Sequence, residues 1–197
     1  MTSFSAELED WLRSDQPKTL GQLSEVFGQR SFAVAIVLLM ILPATPLPTG
    51  GITHVFELFA VVIAAQMVLG RTRLWLPARF ANRELKAVAT AKTIPKVVGT
   101  VRWLERISRP RGVHAFRGRV GPRLIGLVLI GLCVAAALAP PFSGLDTLPA
   151  LGAVIVGLSV LLEDVAMLGV GAAIGCGGIV VIVAIGASFA RVIGHLF

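Results

Sequence analysis

Residues 42–51 read LPATPLPTGG. Three prolines and two glycines (Pro43, Pro46, Pro48, Gly50, Gly51) split an apolar stretch into SFAVAIVLLMI before and ITHVFELFAVVIAAQMVLG after. Proline has no amide proton and glycine admits backbone angles that other residues avoid, so the stretch ends a helix. In lipid, a freed backbone group left unpaired costs several kcal/mol. A break within a bilayer is therefore tolerated only where protein or a wet cavity surrounds it. The plainer alternative is a turn at the far membrane surface between two spanning helices. The arm over residues 31–42 has 12 residues. That is about 18 Å of helix against a hydrocarbon core about 30 Å thick. The arm over residues 52–69 reaches about 27 Å. The short first arm favours a re-entrant hairpin in this unit.

Composition points the same way. Of the 197 residues 55% are hydrophobic and 15% charged, and the mean hydropathy is +0.84. The apolar residues lie in runs, which places the chain in a bilayer. Early acids (Glu7, Glu9, Asp10) are unlike a secretory signal, so the N-terminus is expected to be retained. Cys133 and Cys176 both fall inside apolar runs and read as small buried hydrophobes. Net charge is +7. Residues 71–123 hold 14 Lys and Arg against two acids, Glu84 and Glu105. A basic segment between membrane runs reads as cytoplasmic, with anionic headgroups as its partners. No zinc-finger or aromatic RNA-binding pattern accompanies it, so nucleic acid is not expected.

The chain matches itself. A shift of 93 positions lays residues 28–71 on 121–164 without a gap, with ten identities that include Gly28 on Gly121, Arg30 on Arg123, Pro48 on Pro141 and Gly51 on Gly144. The second unit breaks at PPFSG, through Pro140, Pro141 and Gly144. In this it resembles transporters whose duplicated broken helices enclose a central site.

The expected fold is an all-α integral membrane protein. Residues 1–30 form amphipathic helices, 31–70 a first hairpin, 71–123 a basic interfacial linker, 124–163 a second hairpin, and 164–197 a transmembrane helix and tail. Phe4, Leu8, Trp11 and Leu12 line one face of the first helix, Thr19 caps the second, and Gln22 completes a capping box. Within the linker, Val97, Val101, Leu104 and Ile107 oppose Arg102, Arg106 and Arg109, as in a helix lying in the interface. Asp164 suits the N-cap of the last helix. Gly171 and Gly175 suit close packing, either within one chain or between two copies in a homo-oligomer.

The order Gly-x-Arg in GQRSF, the Pro-rich break, then LGRTRLWLP followed by basic residues resembles bacterial membrane proteins of the exopolysaccharide synthesis ExoD family. The resemblance covers roughly residues 5–190. It implies an inner-membrane protein linked to exopolysaccharide production; polysaccharide synthesis proteins are the partners expected if the chain is a scaffold. It supplies no catalytic residues.

Glu57 is the sharpest candidate for chemistry, because an ionisable residue inside an apolar helix is a functional hypothesis by default. His54, three positions earlier, shares its face. The alternative places Glu57 at headgroup level in the first turn of a helix capped by Thr53. Asp146, the counterpart of Thr53, reads as a cap or as a second acid on the same chamber. Arg30 and Arg123 begin the two units, where they anchor the chain or grip a lipid phosphate. Glu163 is a candidate ion-pair partner for the basic linker. One His-x-x-Glu does not make a metal site, and no nucleophile–base set is present, so neither a metal, a cofactor nor catalysis is expected. The expected function is transport or binding of a polyprenyl-phosphate-type lipid, or of a coupled ion, between the two broken hairpins. The alternative is a non-catalytic scaffold or regulator of polysaccharide assembly.

Overall fold

The computed structural model describes residues 4–14, 19–45, 52–75, 120–140 and 143–194, with isolated positions at 99, 102, 103, 105, 106, 108, 116 and 118. Among these residues the structure is all-helical. The helices are α1 (Phe4–Arg13), α2 (Leu20–Phe27), α3 (Arg30–Met40), α4 (Ile52–Val68), α5 (Gly121–Ala137), α6 (Thr147–Leu162) and α7 (Val165–Gly194). Residues 46–51 of the first Pro/Gly break, 141–142 of the second, and the linker face at 97, 101, 104 and 107 lie outside the described residues.

Local chemistry sets several boundaries. Thr19 Oγ1 accepts from the Gln22 N–H at 3.2 Å and starts α2. The reciprocal half of the capping box is not made, since Gln22 Oε1 has no partner among the described residues. Pro43 follows the end of α3 and is buried. Pro122 occupies the first turn of α5, where its missing N–H costs nothing. Asp164 caps α7 as expected: its Oδ1 accepts from the N–H groups of Ala166 at 2.9 Å and Met167 at 3.4 Å. Thr53 does not cap α4, which is already helical at Ile52.

The helices pack by close backbone approach. α7 runs antiparallel to α6, and a β-carbon added at Gly152 would lie 2.6 Å from the Gly175 Cα. One at Gly178 would lie 2.6 Å from Pro149 Cδ. Gly171, Gly175 and Gly178 of α7 thus serve packing within the chain. α4 lies on α5 and α3 on α6. Gly126 of α5 seats against the carbonyl of Ala64, and Gly157 of α6 against the carbonyl of Ala33. These two seats are images of one another under the 93-residue shift, 33 matching 126 and 64 matching 157.

α1 and α2 dock on the bundle. Leu8, Trp11 and Leu12 pack with Phe27, Ala33 and Leu161, and the rings of Trp11 and Phe27 meet edge to face at 5.9 Å. Ser5 ties α1 to the linker, its N–H donating to Glu105 Oε1 at 2.9 Å; Arg102 pairs with Glu9.

The bundle's outer surface is apolar. Val55, Leu58, Phe59 and Val62 of α4 are exposed, as are Leu124 and Leu127 of α5. One helix segment, Val165–Ser188, is long and apolar enough to cross a membrane. Cys133 is buried, but Cys176 is exposed, contrary to expectation. Its run is apolar on every side, so the sequence did not distinguish the face turned to α6 from the face turned outward.

Candidate functional site

Glu57 is fully buried at 0% exposure, one turn and a half into α4. Thr53, Glu57, Ala60 and Ala64 share its buried face, the 3.6-residue stripe that a packed helix requires. Glu57 Oε2 and His54 Nδ1 are 2.7 Å apart. Glu57 Oε1 has no hydrogen-bond partner among the described residues. Leaving a buried polar atom unpaired is costly, and such atoms call for a reason.

Two groups from the other unit approach this carboxylate. Asp146 lies within electrostatic reach of it. The Cys133 thiol of α5 also lies within electrostatic reach. Asp146 precedes α6 with helical backbone angles (φ −65°, ψ −26°) and makes no side-chain capping bond. A capping residue needs extended angles to turn its oxygen onto the first amides. Asp146 therefore does not act as a side-chain cap of α6. Among the described residues no three His, Cys, Asp or Glu side chains converge to hold a metal ion.

Arg30 and Arg123 lie at the opposite, basic end, away from Glu57. Arg30 Nη2 donates to Glu163 Oε1 at 3.1 Å and Nη1 to Glu7 Oε2 at 3.3 Å. Glu163 therefore pairs with the start of α3. It is also the one non-glycine residue with positive φ among those described (φ 52°, ψ 40°). Arg123 stands beside Gly70, its guanidinium 3.1 Å from where a β-carbon would be. The five residues proposed from sequence thus fall into two groups, His54, Glu57 and Asp146 at the broken end and Arg30 and Arg123 at the basic end.

Sequence reasoning missed Gln66. Its side chain accepts from the Trp75 N–H at 2.8 Å and donates to the Trp75 carbonyl at 3.2 Å, folding the chain back after α4. A lone amide in an apolar run was the available signal.

A family model described as "Exopolysaccharide synthesis, ExoD" matches residues 4–184. The chain belongs to the ExoD family. It is 26% identical over 174 residues to the uncharacterized protein slr1875 of Synechocystis sp., covering 87% of this chain and 81% of that one. It is 28% identical over 149 residues to Protein ExoD of Rhizobium meliloti, covering 74% of this chain and 61% of that protein. No solved structure matches. ExoD membership links the chain to exopolysaccharide synthesis.

Proposed function

We propose that this ExoD-family chain is a multi-pass inner-membrane protein that binds or moves a polyprenyl-phosphate-type lipid, or an ion coupled to it, at a chamber between two duplicated broken hairpins. The observation that carries the reading is Glu57: wholly buried, one oxygen on His54, the other without a partner among the described residues. The His–Glu pair suits a proton, held on the imidazole or the carboxylate. The imaged helix seats at Gly126 and Gly157 support the duplication.

Lengths support re-entry. Gly178 of α7 packs at the level of Leu148 and Pro149, where the second hairpin turns. From residue 165 to that level is about 20 Å of helix, and α7 runs about 24 Å beyond it. The uncharged run of α7 ends only at Arg191. Elbows in open solvent would leave that apolar extension in water, with Val180 and Val183 exposed. A core about 30 Å thick that begins at residue 165 encloses the elbows and leaves the Arg30–Glu163 pair at the surface.

The test is flux in vesicles reconstituted with the full chain, following a labelled polyprenyl phosphate and internal pH. Glu57→Gln is expected to reduce flux at least tenfold. Unchanged flux would remove the chamber from the mechanism and favour the scaffold reading.

A further inference from the structure

Two clefts open at the basic end, and the 93-residue shift relates them. One, of about 300 Å³, is lined by Gln29, Gly70, Arg71, Thr72, Pro122 and Arg123 among others. The other, of about 310 Å³, is lined by Pro122, Arg30, Glu163, Gln29, Val160 and Glu7 among others. Adding or subtracting 93 carries Gln29 to Pro122, Arg123 to Arg30, Gly70 to Glu163 and Met67 to Val160. The clefts are therefore counterparts, but their charge differs. In the second, two carboxylates hold the single guanidinium of Arg30. In the first, the position equivalent to Glu163 is Gly70, which has no side chain to offer. Among the described residues no carboxylate pairs with Arg71 or Arg123, and both are exposed.

We propose that the cleft at Arg71 and Arg123 is a binding site for a phosphate group, and that its counterpart is closed to anions by Glu163 and Glu7. Two guanidinium groups present forked donors suited to phosphate oxygens. The Thr72 hydroxyl and Gln29 amide add neutral donors at the rim. The positive end of α5 begins at Gly121, beside Arg123, and favours the same charge. Gly70 has φ +75°, and the equivalent Glu163 holds φ 52°, so this backbone turn accepts either residue. Glu163 in place of Gly70, Asp164 in place of Arg71 and Glu7 contributed by α1 thus leave the second cleft lined by one cation and two acids, where the first is lined by two cations and no acid. The proposal takes the duplication from the preceding reading but not the Glu57 chamber, which lies at the other end of the bundle.

The purified full chain in detergent is titrated calorimetrically with two probes, inorganic phosphate and dihexanoyl phosphatidic acid. One saturable site is expected. Arg123→Gln and Gly70→Glu are each expected to weaken it at least tenfold, the second while leaving both arginines in place. The reciprocal double variant Glu7→Gln/Glu163→Gly is expected to release Arg30 and raise the stoichiometry toward two. Circular dichroism and gel filtration confirm folding; if Gly70→Glu fails them, Arg71→Gln at the surface takes its place. Binding of the lipid alone assigns the site to a headgroup, and binding of both probes to phosphate in general. No saturable binding of either probe, or binding unchanged in Arg123→Gln and Gly70→Glu, overturns the proposal. Phosphate binding that persists when Glu57→Gln flux is unaltered would leave this site standing and remove only the chamber.

Discussion

Gly152 and Gly175 meet backbone to backbone, so that a β-carbon on the first would sit 2.6 Å from the Cα of the second. The neighbouring obstacle is the Gly171 carbonyl at 2.8 Å, also backbone. Nothing there can swing aside. Gly152→Ala is expected to separate α6 from α7 and cost about 1–3 kcal/mol. Gly175→Ala meets the Leu132 side chain, with Cδ2 at 2.3 Å, and is expected to cost less because a side chain can shift where backbone cannot. Gly177→Ala meets nothing within 4 Å and is expected to be neutral, or to gain up to about 1 kcal/mol from helix propensity. Thermal unfolding in one detergent ranks the three.

Asp164 holds the sharp turn between α6 and α7 through two α7 amides, and its Oδ2 accepts from Ser108 Oγ at 2.9 Å. Asp164→Ala is expected to lower stability by about 1–2 kcal/mol. Asp164→Asn keeps an accepting oxygen and should recover more than half of the loss in the same melt.

His54 supplies the described partner of the buried carboxylate. Removing it leaves Glu57 with neither oxygen paired among the described residues. His54→Ala is expected to destabilise by about 1–3 kcal/mol, and Glu57→Leu by less, because it removes the orphaned group itself. A double-mutant cycle should give a favourable coupling between the two side chains. A coupling of zero would mean that the contact contributes nothing to folding.

Much of this fold is legible in the apolar runs, because each run ends where a proline, a glycine or a capping acid stops it. Asp164 and Thr19 were readable as caps since capping is decided within three residues. The Arg30–Glu163 pair was not, because its members stand 133 positions apart and meet only when α3 packs on α6. Asp146 carried a cap-like signal that its helical backbone angles contradict. Glu57 stood out as a charge in an apolar helix, yet its approach to Asp146 and Cys133 needed the two units to be placed together. Gln66 gave only the signal of a single polar residue among apolar ones.

The elbows can be located chemically. In a background with Cys133→Ala and Cys176→Ala, cysteine is placed at Thr45 and Ser143, both exposed on the isolated bundle. A membrane-impermeant maleimide is expected to label neither from either side. Labelling of both from the periplasm would place the elbows in solvent.

Among the described residues, α1, α2 and the ends of five further helices gather at the basic end, while past the elbows α7 continues alone. On the proposed placement the body tapers across the bilayer, wide in the cytoplasmic leaflet and one helix wide in the outer. Lipid must fill the vacated outer half, so the two leaflets lose unequal area to the protein. A wedge of this kind exerts lateral stress on its surroundings. It would gather where the sheet of lipid already bends toward the narrow side.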